Sequence, residues 1–408
     1  MKTNIYFIRK KILGALFLLF FAFSMFFLSG CIFPEKISGH ISRDTVWQGR
    51  ILLEGDVYVE QGVHLIILPG TSIRYTNGDI KNEIQMLRSI DGSTYDIFAE
   101  SRIEIIVAGE LDIRGTEDNP VVITAPTDEP SRAGGISFVA GGSESAINHL
   151  KIHGGYVGLR CYDSRSPEIS NVKIIGTMVG GIGCWDRAAP EISCAEVVSG
   201  KYGIGASAMS SPKISNSIIK NNSATGVFFE GNSSGVVRCS QISGNNVGVA
   251  AGNESEPIII QNAIEGNGSG VGCWNDSSPK IEENSFISNI VGVLALDDSA
   301  PKIEKNTFKE NGVGASFGDS SDSVFQENKV GMSGSGIVLT GRATSEISSN
   351  TFYASEYGLR AEGRANFRVS SNSFRENRFA LNFSEYAKPV LSRNEFDNNY
   401  SETVDTRF

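Results

Sequence analysis

The chain of 408 residues is acidic, with 46 Asp and Glu residues against 36 Lys and Arg residues and a formal net charge of −10. A chain without a basic excess lacks the electrostatic footprint of a nucleic-acid-binding protein, so no nucleic-acid partner is expected. Its hydrophobic content of 40% is typical of a folded protein.

Residues 1–30 are predicted to be a bacterial lipoprotein signal peptide. Basic residues at positions 2 and 9–11 precede an uncharged apolar run over 12–28, which is the order of a secretory signal. Leu-Ser-Gly-Cys at 28–31 then matches a lipobox. We therefore expect Cys31 to be acylated and to hold an exported protein on a bacterial membrane, at the outer membrane or cell surface. The alternative is a transmembrane anchor with an incidental cysteine.

Residues 31–44 are predicted to be the lipidated cysteine and a tether, and residues 45–130 to be irregular N-terminal coils. Apolar residues alternate with other residues from Ile51 to Tyr75 and from Ile103 to Thr124, which is strand spacing. Residues 76–101 contain few core residues, so we predict an inserted loop there.

A period of about 22 residues organises residues 131–400; it is strict from Asn262 to Asn394 and has an occasional extra residue upstream. Phenylalanine, glycine and isoleucine columns share this period, and apolar residues within it fall two apart in short runs. This pattern predicts an all-β solenoid, a parallel β-helix with about 22 residues per coil, followed by a tail at 401–408. Stacked asparagines should hydrogen-bond one another, and stacked phenylalanine rings should pack face to face. The asparagines lie 22 positions apart at Asn262, Asn284, Asn306, Asn328, Asn350, Asn372 and Asn394.

Three further expectations concern single columns. The asparagine column is extended upstream through Asn171, Cys194, Asn216 and Cys239. Glycines are expected to supply bends and positive φ. The five cysteines after Cys31 are expected to be reduced and to point inward; they are Cys161, Cys184, Cys194, Cys239 and Cys273.

The segment Ser278–Val293 reads Ser-Pro-x-Ile-x-x-Asn-x-Phe-x-x-Asn-x-x-Gly-Val. This pattern resembles the right-handed parallel β-helix repeats of the pectin-lyase-like superfamily, in particular the NosD-like and carbohydrate-binding repeats. The resemblance covers about residues 45–400. It implies a right-handed coil, and it leaves the activity open.

An aromatic column suggests a glycan-binding site. Tyr162, Trp185 and Trp274 follow inward cysteines directly, so alternation points them outward. The two tryptophans are four coils apart, about 19 Å along the rod, which suits separate subsites on a long polysaccharide. The alternative is that neighbouring loops pack on the rings.

Acidic residues lie beside this aromatic column, at Asp276, Asp297, Asp298 and Asp319. Carboxylates on neighbouring strands repel one another. A bound Ca²⁺ ion would relieve the repulsion, which makes Ca²⁺ the cofactor suggested by this pattern. The alternative is a series of solvated turns, where Asp is common. Arginines replace the acids towards the C-terminus, so an anionic polymer is a further candidate partner.

No catalytic signature is recognisable in the sequence. The combined Asn-x-Asp, Asp-Asp, Gly-His-Gly and Arg-x-Lys pattern of polygalacturonases is missing, and the histidines form no cluster with cysteine or methionine. We expect a non-catalytic scaffold or polysaccharide-binding protein of the cell envelope. The alternatives are a carbohydrate-active lyase or hydrolase and, from the NosD-like resemblance, a maturation factor for an exported metalloenzyme.

Overall fold

The computed structural model describes residues 33–78, 102–139, 144–163, 166–384 and 386–405. These residues form a right-handed parallel β-helix of about 15 coils with almost no helix, which confirms the predicted fold. Each coil crosses three faces in the same order. Face 1 is a 15-stranded sheet, and faces 2 and 3 together make a 30-stranded sheet.

Face 1 contains Thr45–Trp47, His64–Ile67, Glu110–Arg114, Ala146–Asn148, Glu168–Ser170, Glu191–Ser193, Lys213–Ser215, Ser234–Arg238, Glu256–Ile260, Lys280–Glu282, Lys302–Glu304, Asp322–Gln326, Thr344–Ser348, Asn366–Ser370 and Lys388–Ser392. Face 2 contains Ser72–Tyr75, Val121–Thr124, Leu150–His153, Lys173–Ile175, Glu196–Val198, Ile218–Lys220, Gln241–Ser243, Ala263–Glu265, Ser285–Ile287, Thr307–Lys309, Lys329–Gly331, Thr351–Tyr353, Ser373–Arg375 and Glu395–Asp397.

Face 3 contains Ile103–Val107, Ala133–Phe138, Val157–Cys161, Gly180–Cys184, Tyr202–Ala206, Thr225–Phe229, Val247–Ala251, Ser269–Cys273, Val291–Ala295, Val313–Phe317, Ser335–Leu339, Tyr357–Ala361, Phe379–Phe383 and Ser401–Asp405. Glu35–Ile41 and Arg50–Val59 run across faces 2 and 3, and Pro130–Arg132 is a short 3₁₀ helix.

The predicted asparagine ladder is confirmed at the corner between faces 1 and 2. Asn284 donates from both its backbone N–H and its Nδ2 to Oδ1 of Asn306, at 2.8 and 3.1 Å. The same Nδ2 also reaches Ile259 O in the preceding coil, at 2.8 Å. Each amide side chain therefore satisfies buried backbone groups of its neighbours, which is why a polar column is stable in the core.

A second asparagine ladder, missed in the sequence, lies at the corner between faces 2 and 3. Asn267 Nδ2 donates to Asn289 Oδ1 at 3.0 Å, and Asn289 Nδ2 donates to Asn311 Oδ1 at 3.1 Å. Between the two ladders the predicted phenylalanine stack is confirmed. The ring centroids of Phe286 and Phe308 are 4.7 Å apart with an interplanar angle of 4°.

Some corner glycines, such as Gly266, have positive φ as expected, but the glycine column has a different role. Gly270 and its equivalents have φ outside the left-handed region. A Cβ at Gly270 would lie 2.5 Å from the carbonyl oxygen of Gly292, so glycine is needed here for close approach of adjacent coils. Positive φ is adopted at the corners, largely by other residues such as Gln261 and Glu283.

The upstream extension of the asparagine column is wrong by one residue. Cys239 pairs in register with Gln261 and is exposed, whereas Ser240 donates its backbone N–H to Asn262 Oδ1 at 3.0 Å. Cys194 is likewise an exposed corner residue, with φ of 51°. Asparagine is tolerated at this left-handed corner position and also at the ladder position one residue later. The corner column and the ladder column can therefore contain the same residue type, and the sequence does not distinguish them.

The other three cysteines point inward as predicted, and the five cysteines among the described residues are free thiols. Cys161 and Cys184 are register neighbours on face 3. A hydrogen bond between their side chains, together with burial, raises the pKa of the Cys184 thiol.

The rod extends further than the predicted boundaries at both ends. Glu35–Ile41 lies within the stretch predicted as a tether, and Ser401–Asp405 within the predicted tail, yet both pair in parallel with strands of the 30-stranded sheet. Their polar composition is that of edge strands. Cys31 and nearly all of the predicted insertion at 76–101 lie outside the described residues. Within the described part of the chain, no helix is long and apolar enough to span a membrane.

Candidate functional site

Face 3 carries a row of aromatic side chains on its outer side, which we call the aromatic strip: Tyr162, Trp185, Tyr202, Phe228 and Trp274. All except Tyr162 are half-buried. They project outward because the intervening residues, such as Ile182 and Cys184, fill the core. The rings come from five of six successive coils along the rod axis, since the coil of Val247–Ala251 contributes none.

The rings lie on glycine backbone. A Cβ at Gly183 would lie 2.0 Å from the Trp185 ring, and a Cβ at Gly205 would lie 2.2 Å from the Phe228 ring. Trp274 covers Gly252 in the same way, at 2.4 Å from its Nε1. The absence of side chains beneath these rings lets them lie down on the sheet, which gives a shallow and continuous apolar surface.

Tyr162 differs from the exposed residue that the sequence predicted. Its side chain is only 7% exposed, and its ring stacks on Trp185 with a centroid distance of 5.1 Å and an interplanar angle of 16°. Tyr162 therefore fixes the orientation of Trp185. The tryptophans do share one face of the rod. Tyr202 and Phe228, which the sequence did not single out, lie on coils between them and contact each other edge-on at 5.2 Å.

The four aspartates predicted to bind an ion lie at the adjoining corner and are exposed. Asp276, Asp297 and Asp319 have positive φ, between 52° and 59°, as expected of turn residues. Among the described residues, no group of three or more His, Cys, Asp or Glu side chains could hold a metal ion. The geometry thus favours solvated turns over a Ca²⁺ site. Arg342 meets this corner only through its backbone N–H, which donates to Asp319 O at 2.7 Å.

A buried ionic network lies at the N-terminal end of face 3, and sequence reasoning missed it. Arg160 donates to Glu104 Oε1 at 2.9 Å and to Ser137 Oγ at 3.2 Å, and the Glu104 backbone N–H donates to Asp56 Oδ1 at 2.8 Å. The side chains of Arg160 and Glu104 are 4% and 2% exposed. The available signal was a charged residue within a strongly apolar strand, Ile103–Val107.

Burial raises the pKa values of the two acidic residues in this network. Desolvation raises the pKa of Asp56 to about 7, opposed by its hydrogen bond from the Glu104 backbone and reinforced by the Glu104 charge. Burial also raises the pKa of Glu104, which Arg160 opposes. Raised carboxylate pKa values are common in active sites. Here, however, the groups are paired with each other and closed to solvent.

A shallow groove on face 1 is lined by charged side chains, including Glu168, Glu191, Lys213 and Arg238. Lys213 Nζ lies 2.7 Å from Glu191 Oε1. Its hydrogen bond and charge lower the pKa of Glu191. The pair is exposed, so its charges are largely compensated and screened. The groove lacks aromatic rings, which makes face 3 the better candidate for a binding surface.

The chain is a right-handed β-helix repeat protein, as its parallel coils and sequence columns show. Residues 180–330 match the family described as "Right handed beta helix region". Residues 292–407 match "Periplasmic copper-binding protein (NosD)". No curated protein is significantly similar in sequence.

Several solved structures with a similar fold are described as enzymes of alginate or mannuronan. The A-module of mannuronan C-5 epimerase AlgE4 of Azotobacter vinelandii is 12% identical, with a TM-score of 0.49 over 84% of this chain and 89% of its own. The periplasmic alginate epimerase AlgG is 11% identical, with a TM-score of 0.49 over 81% of this chain and 85% of its own. A mannuronic-acid-specific family 6 lyase from human gut microbiota is 12% identical, with a TM-score of 0.41 over 85% and 86%. Such identities do not transfer an activity.

The copper named in one family description does not fit the residues present. The matched segment 292–407 contains no histidine, no cysteine and a single methionine, Met332. Copper sites in proteins use imidazole, thiolate or thioether ligands. This part of the chain therefore lacks the donor set of a copper centre.

Proposed function

We propose that this protein is an exported, non-catalytic rod that binds a polysaccharide along the aromatic strip of face 3. The observation that carries the proposal is the row of half-exposed rings lying on glycine backbone. Flat rings pack against the apolar faces of sugars as they do against other flat groups, and the shallow surface leaves room for a chain to run along the rod axis.

The spacing of the rings supports a polymer as the ligand. Trp185 and Trp274 are four coils apart, about 19 Å at the strand separation of a sheet. A single sugar cannot touch both tryptophans, whereas an oligosaccharide can contact Trp185, Tyr202, Phe228 and Trp274 in turn. Several weak contacts held on one rigid element add up to a useful affinity.

The proposed location of the protein is the bacterial cell envelope, where a lipid on Cys31 anchors the chain. The lipobox at 28–31 supports this anchor, and the periplasmic description of the NosD family agrees with export. Cys31→Ser is expected to leave uncleaved precursor or to release the processed domain, seen by fractionation and mass spectrometry. Normal processing and unchanged membrane association of this variant would contradict the anchor.

The binding proposal is tested with Trp185→Ala and Trp274→Ala, singly and together, against a panel of soluble polysaccharides. Each single substitution should weaken binding by about 1–3 kcal/mol, on the scale measured for stacking on aromatic rings. Tyr386→Ala is the matched control, because Tyr386 is an exposed aromatic residue away from the strip. Trp47 is unsuitable as a control because it is buried. Equal binding by the double variant and the wild type would contradict the proposal.

The alternative that the sequence leaves open is an enzyme acting on the same polysaccharide. Reducing-end and unsaturated-product assays separate the two functions. We expect no product release. Product release by the wild-type protein would replace binding by catalysis.

A further inference from the structure

The C-terminal coils carry a local positive charge on an acidic protein. Residues 329–379 contain seven Lys and Arg residues and four Glu residues, whereas the whole chain has a net charge of −10. Two of these cations, Lys329 and Arg375, lie beside Tyr353 on the outer side of face 2, and we call Lys329, Tyr353 and Arg375 the basic cluster. They lie in three consecutive strands of that face.

The basic cluster is built around the Tyr353 ring. Tyr353 is in register with Gly331 on one side and Arg375 on the other. A Cβ at Gly331 would lie 2.3 Å from the ring, so the ring lies on the preceding coil. Lys329 Nζ is 5.4 Å from the ring centroid and Arg375 Cζ is 5.8 Å from it. Two cations thus flank one half-exposed aromatic ring, within cation–π distance.

Neither cation of the cluster forms an ion pair among the described residues, although Asp397 is the register neighbour of Arg375 in the next coil. In the part of the chain that the structure describes, no carboxylate lies within 4 Å of Lys329 or Arg375, whereas neighbouring Arg378 is 3.4 Å from Glu356 and Arg360 is paired with Glu362. Lys329 and Arg375 are two coils apart, about 10 Å along the axis. Like charges held this close favour a bound anion between or beside them.

We propose that the basic cluster binds an acidic polysaccharide, with a sugar ring on Tyr353 and carboxylate or sulfate groups on Lys329 and Arg375. This inference deepens the proposed function, because it names the charge of the polymer and adds a second contact surface on another face. Duplex DNA fits less well, because it carries one charge per about 1.7 Å of its length, so the acidic remainder of the chain repels it more strongly than a polysaccharide with one charge per sugar. The cluster contains no exposed aliphatic residue to enter a lipid layer.

The test is a titration of the full-length protein in detergent with polygalacturonate, dextran sulfate, neutral dextran and duplex DNA. Lys329→Gln/Arg375→Gln should bind the acidic polysaccharides about tenfold more weakly, since charge-assisted contacts are lost. The affinity of the wild-type protein for the acidic polysaccharides should fall as the salt concentration rises. Tyr353→Phe should bind normally and Tyr353→Ala weakly. Arg368→Gln is the matched control, because Arg368 is an exposed arginine of the same coil as Arg375 but lies on face 1, and it should stay within about twofold of wild type.

Tighter binding of polygalacturonate assigns a carboxylate-bearing ligand, and tighter binding of dextran sulfate assigns a sulfate-bearing one; both support the proposal. Equal losses in Arg368→Gln, equal affinity for DNA, or no binding of either acidic polysaccharide would overturn it. Unchanged melting temperatures check that the exposed substitutions leave the fold intact. Trp185→Ala/Trp274→Ala separates the two proposals, because it removes binding by the aromatic strip and should leave the salt-dependent contribution of the basic cluster.

Discussion

The C-terminal and N-terminal coils are held together by different means. From Asn262 to Asn394, every coil continues the asparagine ladder, and most coils add a stacked phenylalanine ring and a glycine contact. From Glu35 to Cys161, mostly aliphatic residues fill the core, and a buried network joins Asp56, Glu104 and Arg160 from separate coils. A contact that successive coils repeat produces a periodic residue pattern in the sequence, whereas a network formed at one place in the fold produces no such pattern. Stability in the two regions should therefore respond differently to mutation.

The largest effect is expected in the N-terminal network. Arg160→Met removes the cation and leaves the Glu104 carboxylate buried without its partner, which typically costs about 3–5 kcal/mol of unfolding free energy. Urea denaturation measures this loss. Arg238→Met, at an exposed arginine of face 1, should change stability by no more than about 0.5 kcal/mol.

Two further measurements sharpen this prediction, the pH dependence of the loss and the effect of a second substitution. Folded Glu104 has a raised pKa and so binds a proton more readily than in the unfolded chain; the Arg160→Met variant should consequently lose less stability near pH 5 than at pH 8. Adding Glu104→Gln should recover part of the loss, because the unpaired charge is removed. A loss that is independent of pH and unaffected by Glu104→Gln would show that packing, not charge, holds these coils.

A smaller effect is expected in the asparagine ladder. Asn306→Ala removes the acceptor of the Asn284 backbone N–H and Nδ2, which are buried. The loss should be about 2–4 kcal/mol, since each unsatisfied buried donor costs about 1–3 kcal/mol. Because each coil contacts only its neighbours, amide exchange should accelerate mainly in coils next to the substitution. Asn394→Ala, at the partly exposed end of the ladder, is the control and should have a smaller effect.

The regular part of the fold could be predicted because its columns repeat. Asn284, Phe286 and Gly292 recur at one spacing, and each has one structural role. The register upstream of Asn262 could not be predicted, because asparagine suits both the ladder and the left-handed corner. Upstream coils have 22 or 23 residues, so the spacing allows Asn262 to be aligned with either Cys239 or Ser240.

The candidate site was predictable only in part. Alternation placed Trp185 and Trp274 on one outer face. It could not show that Tyr162 is buried beneath its neighbours or that Phe228 folds onto Gly205, because ring orientation depends on which adjacent coil offers bare backbone. The Glu104–Arg160 pair joins residues 56 positions apart, and no local pattern links them.

We propose that a polysaccharide lies along face 3, and hydrogen exchange measured with and without bound polysaccharide is a direct test. Exchange should be slower in face 3 strands from Gly180–Cys184 to Ser269–Cys273, and face 1 strands such as Lys213–Ser215 should be unchanged. Protection confined to the groove on face 1, or no protection on face 3 at saturating polysaccharide, would contradict it.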